Sequence, residues 1–360
     1  MIKKQEINNI NLKSKELLSK FPKIELHRHL EGTMPLETLF YLAQKNKLNY
    51  PGDFNEFSKM VQFPKDEKPD FLLFLSKFKN NWYKSYEDVE RVCIDSIRAL
   101  EKESIFYIEL RFSPEHYCLE NNFDRIEVTK LIINSCNKAA KEIGLNIKYL
   151  ITFNRGKQNQ KEMLTLYKKI VKSNIPDIVG IDLAGDEINF PPKDFSLFFN
   201  EIYNDGIYKA TVHAGEVTPP SSIWEAIMLC YASRIGHGVA AIHDVNLQKY
   251  LKEKQIGLEQ CITSNRQTGS WPDEKTHPCA RLIDNGVPVT INTDDPVIQN
   301  SDLTDDYIKL IDYFSFDLSK LIEINKTAIN CSFLNEQEKS ELLKKYLKKV
   351  SEFEKKYLQS

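Results

Sequence analysis

Short runs of β-branched and aromatic residues recur along this chain, each followed by a longer stretch whose apolar positions repeat with helical spacing. Eight runs read as strands, at 24–30, 106–112, 147–153, 177–184, 209–214, 234–238, 257–263 and 287–293. Between them, helices are expected at about 36–46, 84–102, 125–143, 158–173, 192–205, 221–231, 245–253 and 279–285, with a helical tail over 303–357. Strands alternating with helices imply parallel β-structure joined by helical crossovers. Eight such units fit a closed (β/α)8 TIM barrel, whose size range with insertions includes 360 residues. An open doubly wound sheet is the alternative, but no G-x-G-x-x-G follows the first strand.

Three segments stand apart from the repeat. Residues 1–20 read as a polar lead-in helix, and the tail as packing helices with a Lys/Glu-rich solvated face. Residues 47–82 interrupt the pattern with six phenylalanines, at 54, 57, 63, 71, 74 and 78. That insert is long enough to form a lid over the barrel mouth, although the same aromatics would serve equally as helix core. No low-complexity tract or Pro/Gly/Ser linker divides the sequence, so a single domain over 1–360 is expected.

Composition narrows the class without naming a chemistry. Hydrophobic residues make up 41% and charged residues 28%, an ordinary globular balance. A net charge of −2 gives no global field for nucleic acid or an anionic membrane, and no apolar stretch reaches about 18 residues. Lys3 and Lys4 precede no apolar signal core, and Glu6 and Glu16 without any early Arg are unlike a transit peptide. Seven cysteines without a C-x-x-C pair fit a reducing compartment. A cytoplasmic location is therefore expected. None of these patterns sets an oligomeric state.

The chemistry lies in the polar residues at strand ends, where barrel enzymes build their sites. His27-Arg28-His29 closes the first strand. Side chains two apart on a strand share a face, with α-carbons roughly 6.6 Å apart, so both imidazoles can reach one ion. His213 ends the fifth run, His237 the sixth, and Asp294-Asp295-Pro296 the eighth. Each alone has a plain structural reading: a satisfied polar residue, a turn, or a cap. Together they imply one shared site. His116, His243 and His277 fall in loops or helix starts and keep the structural reading.

His27, His29 and His213 offer three nitrogen donors and Asp294 an oxygen, leaving a position for water, which is the arrangement of a catalytic zinc. The fourth run ends Asp182-Leu183-Ala184-Gly185-Asp186 with no Lys to bridge a second metal. His237 is placed to act as a base, and Glu216, three residues past His213, as a proton donor. Such a set suits hydrolytic attack on an electrophilic carbon.

At this point the sequence resembles the adenosine deaminase family of amidohydrolases. The resemblance is carried by Glu25-Leu26-His27-Arg28-His29-Leu30-Glu31-Gly32, Glu109-Leu110-Arg111-Phe112-Ser113-Pro114 and Gly180-Ile181-Asp182-Leu183-Ala184-Gly185-Asp186-Glu187. It continues through Val212-His213-Ala214-Gly215-Glu216, Arg234-Ile235-Gly236-His237-Gly238, Cys261-Ile262-Thr263-Ser264-Asn265 and Asn292-Thr293-Asp294-Asp295-Pro296. The cytidine-deaminase signature, H-x-E with P-C-x-x-C, is absent.

The resemblance implies one zinc per chain, held by His27, His29, His213 and Asp294. It implies that Glu216 protonates purine N1, that His237 serves the attacking hydroxide, that Asp295 bonds N7 and that the Gly185 backbone faces N3. Phe71, Phe74 and Leu75 would correspond to the hydrophobic lid. The expected reaction converts a 6-aminopurine to a 6-oxopurine with loss of ammonia, adenosine and 2′-deoxyadenosine leading as substrates in purine salvage.

Glu31 departs from the pattern, standing where many adenosine deaminases carry a sugar-contacting Asp. It opens adenine as an alternative, whereas Gly185-Asp186-Glu187 and the Ile-Gly-His-Gly run are similar to the nucleoside enzymes. N6-methyl-AMP and 6-aminodeoxyfutalosine are further alternatives. No dense Lys/Arg cluster accompanies the motifs, which disfavours a phosphorylated substrate unless loops distant in sequence supply one. A binuclear ester or lactone hydrolase, and a non-catalytic growth-factor-like relative, are the readings from other classes.

Overall fold

In a computed structural model, which describes residues 14–64 and 67–358, eight strands run parallel in the order of the sequence. They are β1 (Lys23–His29), β2 (Ile105–Phe112), β3 (Asn146–Arg155), β4 (Ile178–Gly185), β5 (Lys209–Ala214), β6 (Arg234–His237), β7 (Gly257–Gln260) and β8 (Val289–Ile291). Each pairs with the next. The seam closes through His29 N–H to Asp294 O at 3.0 Å and Asp294 N–H to His27 O at 2.9 Å, with a parallel bridge between Arg28 and Asp294. The expected (β/α)8 barrel is thus formed, and its closing seam joins two strand ends that carry candidate ligands.

β1 is buried along its whole length because helices cover its outer face and the barrel interior its inner one. The covering helices follow the strands as expected, among them Leu36–Lys45, Tyr86–Ala99, Arg125–Ile143, Gln160–Ser173, Ser196–Asp205 and Pro220–Cys230. Asp and Asn side chains cap several of them, such as Asp124 before Arg125–Ile143 and Asn159 before Gln160–Ser173. Three helices, Leu303–Phe314, Leu318–Cys331 and Glu336–Tyr357, make up the tail. Leu318–Cys331 packs beside β1 and β8, across the seam.

Two expected strands are too long, the 287–293 run being a strand only over Val289–Ile291. The 257–263 run ends at Gln260, and Ile262–Thr268 is a helix closed by Gly269 at φ 83°. Ile262 and Thr263 have strand-type side chains, but helical geometry brings Ser264 and Asn265 to the carboxyl end of the barrel; tertiary context overrides propensity here. The helix Pro114–Cys118, directly after β2, was not expected either.

The insert folds as Phe54–Val61 and Phe71–Leu75, capped by Asp53 and Asp70. Its aromatics divide. Phe57 packs into the main core against Phe40, Tyr50 and Trp82. Phe63 and Phe74 form a separate small cluster with Ile298, flanked by Leu73 and Phe78. Of the lead-in segment, residues 1–13 lie outside the described residues, and Lys15–Leu18 is a single helical turn.

Candidate active site

A pocket of about 320 Å³ opens at the carboxyl ends of the strands, within the size range of small-molecule sites. His29, Glu31, Gly185, His213, Glu216, His237, Asp294 and Asp295 line it, and Phe71, Phe74, Leu75 and Phe78 of the insert line it too. His27 lies just beneath, fully buried. The expected site residues are therefore all at or against one pocket.

Two of them sit on unusual backbone. His237 has φ 58° and Asp294 φ 73°, left-handed values that cost energy for residues with a Cβ. Both close a strand by turning the side chain inward. Gly32 permits another close approach: a Cβ there would lie 1.9 Å from Asp295 Oδ1.

The metal-type atoms converge. His27 Nε2 is 3.2 Å from Asp294 Oδ1, His29 Nε2 is 3.4 Å from the same oxygen, and His29 Nε2 is 3.2 Å from His213 Nε2. Ligand atoms of His27, His213, His237 and Asp294 all lie within 4.8 Å of one another. His29 joins this group through Asp294 and His213 in two overlapping clusters that also include Asp182 or Asp295.

These atoms suit a cation. His27 Nδ1 faces Glu259 Oε2 at 2.7 Å and His213 Nδ1 faces Asp182 Oδ1 at 3.0 Å. Each imidazole donates its Nδ1 proton to a carboxylate, so its Nε2 presents a lone pair. His27 Nε2 and Asp294 Oδ1 are buried without hydrogen-bond partners. A positive charge between them reconciles the 3.2 Å approach: a cation, or an Nε2 proton on His27, which Asp294 and Glu259 favour against burial and Arg111. The donors, imidazole nitrogens with one carboxylate, suit a divalent transition metal.

The carboxylates behind the histidines belong to a buried ionic lattice in the barrel interior. Arg111 bonds Glu259 at 2.7 Å and lies 3.2 Å from Asp182. Arg234 bonds Glu259 at 2.6 Å and Glu109 at 2.5 Å, and Thr211 adds a bond to Glu259 at 3.0 Å. Burial pushes the Glu259 carboxyl up, but Arg111, Arg234 and His27 outweigh it and hold the group well below its usual range. Burial likewise opposes ionisation of Asp182, and His213 and Arg111 overcome it. Both stay charged. Glu259, Asp182, Arg111 and Arg234 were not singled out from sequence; their signal was charged residues at inward positions of otherwise apolar strands.

Around the cluster stand groups suited to proton transfer. Glu216 Oε2 is 3.7 Å from His237 Nε2. Burial, followed by the charges of Asp294 and Glu187, raises the Glu216 carboxyl well above its usual range. That direction favours the proton-bearing form of the carboxyl. Burial also keeps His237 neutral, the neighbouring histidines lowering it further against the pull of Asp294. Its Nδ1 is 3.1 Å from Asn265 Nδ2, and Asn265 Oδ1 is 3.1 Å from His277 Nε2. His277 lies in the loop before helix Cys279–Asp284, as expected, and from there joins the chain that holds His237. Gln260 also donates to the His237 carbonyl, and Ser264 donates to Asp294 Oδ2 at 2.7 Å.

Opposite, Glu31 accepts the Ser113 N–H at 2.7 Å, and Ser113 Oγ accepts from Asn154 at 2.6 Å. Burial pushes the Glu31 carboxyl up to about 7. His116 lines this side, as do Arg155 and Lys157, which the pattern of the motifs had not brought forward.

Comparison with known proteins agrees with this geometry. The sequence profile described as adenosine deaminase matches residues 22–349. The chain is 31% identical over 337 residues to an adenosine deaminase of Pseudoalteromonas translucida, covering 90% of this chain and 97% of that one. It is 32% identical over 328 residues to one of Yersinia pseudotuberculosis, covering 90% and 96%. An adenine deaminase from Arthrobacter aurescens has a similar structure, with a TM-score of 0.83 at 23% identity, covering 92% of this chain and 99% of that one. A zinc-bound amidohydrolase from Burkholderia ambifaria superposes with a TM-score of 0.85 at 19% identity, covering 95% and 93%.

Proposed function

The chain belongs to the adenosine deaminase family, a hydrolase acting on adenosine-like purines, and we propose that its substrates are adenosine and 2′-deoxyadenosine. The products are inosine or 2′-deoxyinosine and ammonia. The observation that carries this reading is the acid Glu216 beside His237, both facing the His27–Asp294 pair of opposed acceptors in one pocket.

His27, His29, His213 and Asp294 would hold one zinc ion. Zinc supplies Lewis acidity there and lowers the pKa of water toward neutrality. The remaining work falls to the chain. Glu216 donates a proton to purine N1, drawing electrons from C6 and making that carbon electrophilic. His237 takes the proton of the attacking water at Nε2, with its ring proton on Nδ1 given to an Asn265 amide turned oxygen-first. Asp295, whose Oδ1 is buried without a partner, bonds N7 as a protonated carboxyl: burial and the adjacent Asp294 charge both raise it. The Gly185 N–H faces N3. Water adds to C6, the tetrahedral carbon collapses, and the amino group leaves as ammonia with a proton returned to it.

Phe71, Phe74 and Leu75 form the lid side of the pocket and exclude bulk water from the base. Glu31, anchored by Ser113, faces the sugar. A protein acting in the cytoplasm on a free nucleoside fits the absence, among the described residues, of any helix long and apolar enough to cross a membrane. The direct test is turnover of adenosine by zinc-loaded protein, followed by the ultraviolet change to inosine. No turnover at full metal content rules the reading out.

A further inference from the structure

Helix Ile262–Thr268 presents two consecutive side chains to the site, Ser264 to Asp294 and Asn265 to His237. Its entry lacks a cap of its own. Cys261, the residue before it, makes no side-chain capping bond, so the first-turn N–H groups need an acceptor from elsewhere. The tail supplies one. Asp306, fully buried in helix Leu303–Phe314, accepts the Thr263 N–H at 3.2 Å and the Thr263 hydroxyl at 2.5 Å, both on Oδ1. A carboxylate there also meets the positive end of the helix dipole.

Lys309, one turn along the same tail helix, completes the anchor. Its ammonium lies 3.2 Å from Asp306 Oδ1, and donates to Thr263 Oγ1 at 2.5 Å and to Glu274 Oε1 at 2.8 Å. Glu274 opens the turn Glu274–Thr276, and the next residue is His277, whose Nε2 lies 3.1 Å from Asn265. Arg266 reaches the same Glu274 carboxylate at 3.4 Å. The tail helix thus holds both the helix that carries Asn265 and the turn that delivers its neighbour His277.

Neither Asp306 nor Lys309 lines the pocket. An ion pair withdrawn from water adds little stability by itself, because desolvation offsets its attraction. This one sits where it fixes the aim of a side chain bonded to His237. We propose that Asp306 and Lys309 are positioning residues for the reaction, acting through Asn265 on the orientation of His237. The tail then serves the active site and is not packing alone. This rests on the deaminase reading above.

The test compares Asp306→Ala, Lys309→Met and Asn265→Ala, singly and with each tail change added to Asn265→Ala, in the zinc-loaded full-length protein. Burial pushes the Asp306 carboxyl up to about 6 against the pull of Lys309 and Thr263, so assays at about pH 8 keep it charged. Each tail variant should lower kcat for adenosine about three- to tenfold with KM and zinc content unchanged, because only the aim of the base is loosened. Added to Asn265→Ala, either change should cost under about twofold more, since residues acting through one contact do not add. A merely structural role gives a lower Tm with kcat kept, or losses that multiply in the double variants, and either result overturns the proposal. Should Asp306→Ala not fold, Lys309→Met and its double variant decide by the same measures. A wild type that binds zinc but leaves adenosine untouched instead removes the deaminase reading, and with it the reaction these residues would serve.

Discussion

Glu259 Oε2 accepts the Nδ1 proton of His27 at 2.7 Å, and the same carboxylate binds two buried arginines, Arg111 and Arg234. The contact fixes the tautomer and aim of a proposed metal ligand from inside the barrel. Glu259→Gln should therefore weaken zinc binding roughly 10–100-fold, read by competition with a chelator. It should also lower the Tm of the apo protein, since two buried guanidiniums each lose one of two counter-charges, keeping only Asp182 for Arg111 and Glu109 for Arg234. Unchanged metal retention would show that His27 needs no such support.

The ligand set and the neighbouring base can be told apart. His213→Ala removes a donor and should abolish stoichiometric zinc. His237→Ala should keep the metal and lose turnover, because His237 is proposed as a base. Metal analysis of both variants decides. Zinc lost from His237→Ala but retained in His213→Ala would exchange their roles.

Glu216→Gln should lower kcat by about 10²–10⁴ while zinc content stays full, the range expected for removal of a general acid. The pH dependence has a definite sign. A raised carboxyl pKa keeps the acid protonated below it, so wild-type kcat/KM should fall as pH rises through that value. A Glu216→Gln variant with wild-type turnover would refute the role.

Much of this was legible beforehand, for physical reasons. Parallel barrel strands are apolar runs, and the strand ends at 27–29, 213, 237 and 294 carried polar residues out of character with them. What was not legible depends on three-dimensional pairing. Asp182 and Glu259 lie in the strands themselves, and only closure of the barrel sets them against His213 and His27. Asn265 stood in a matching motif without a role, because Ile262 and Thr263 imitate a strand just where a helix begins. Lys157 and His116 are separated by 41 residues, so no local cluster announced this end of the pocket.

Gly32 offers a test of the proposed N7 contact. In Gly32→Ala the new Cβ would meet Asp295 Oδ1 at 1.9 Å, so Asp295 must move. KM for adenosine should rise, whereas 7-deazaadenosine, which lacks the N7 acceptor, should bind the variant and the wild type alike. Equal losses for both compounds would place Asp295 elsewhere on the base.

Phe74 belongs to a small cluster with Phe63 and Ile298, apart from the main core. This cluster is tied to the site, since Phe63 N–H bonds Ile298 O at 2.8 Å and Ile298 lies three residues past Asp295. A buried Phe→Ala change in a main core costs about 3–5 kcal/mol. In a separate cluster the loss should appear as local opening, because regions with few shared contacts unfold independently. Phe74→Ala should therefore raise KM for adenosine and increase amide exchange over 54–78, with a smaller fall in Tm than Phe153→Ala in the barrel. A Tm loss equal to that of Phe153→Ala, with KM unchanged, would make the insert part of the core and not a cover for the substrate.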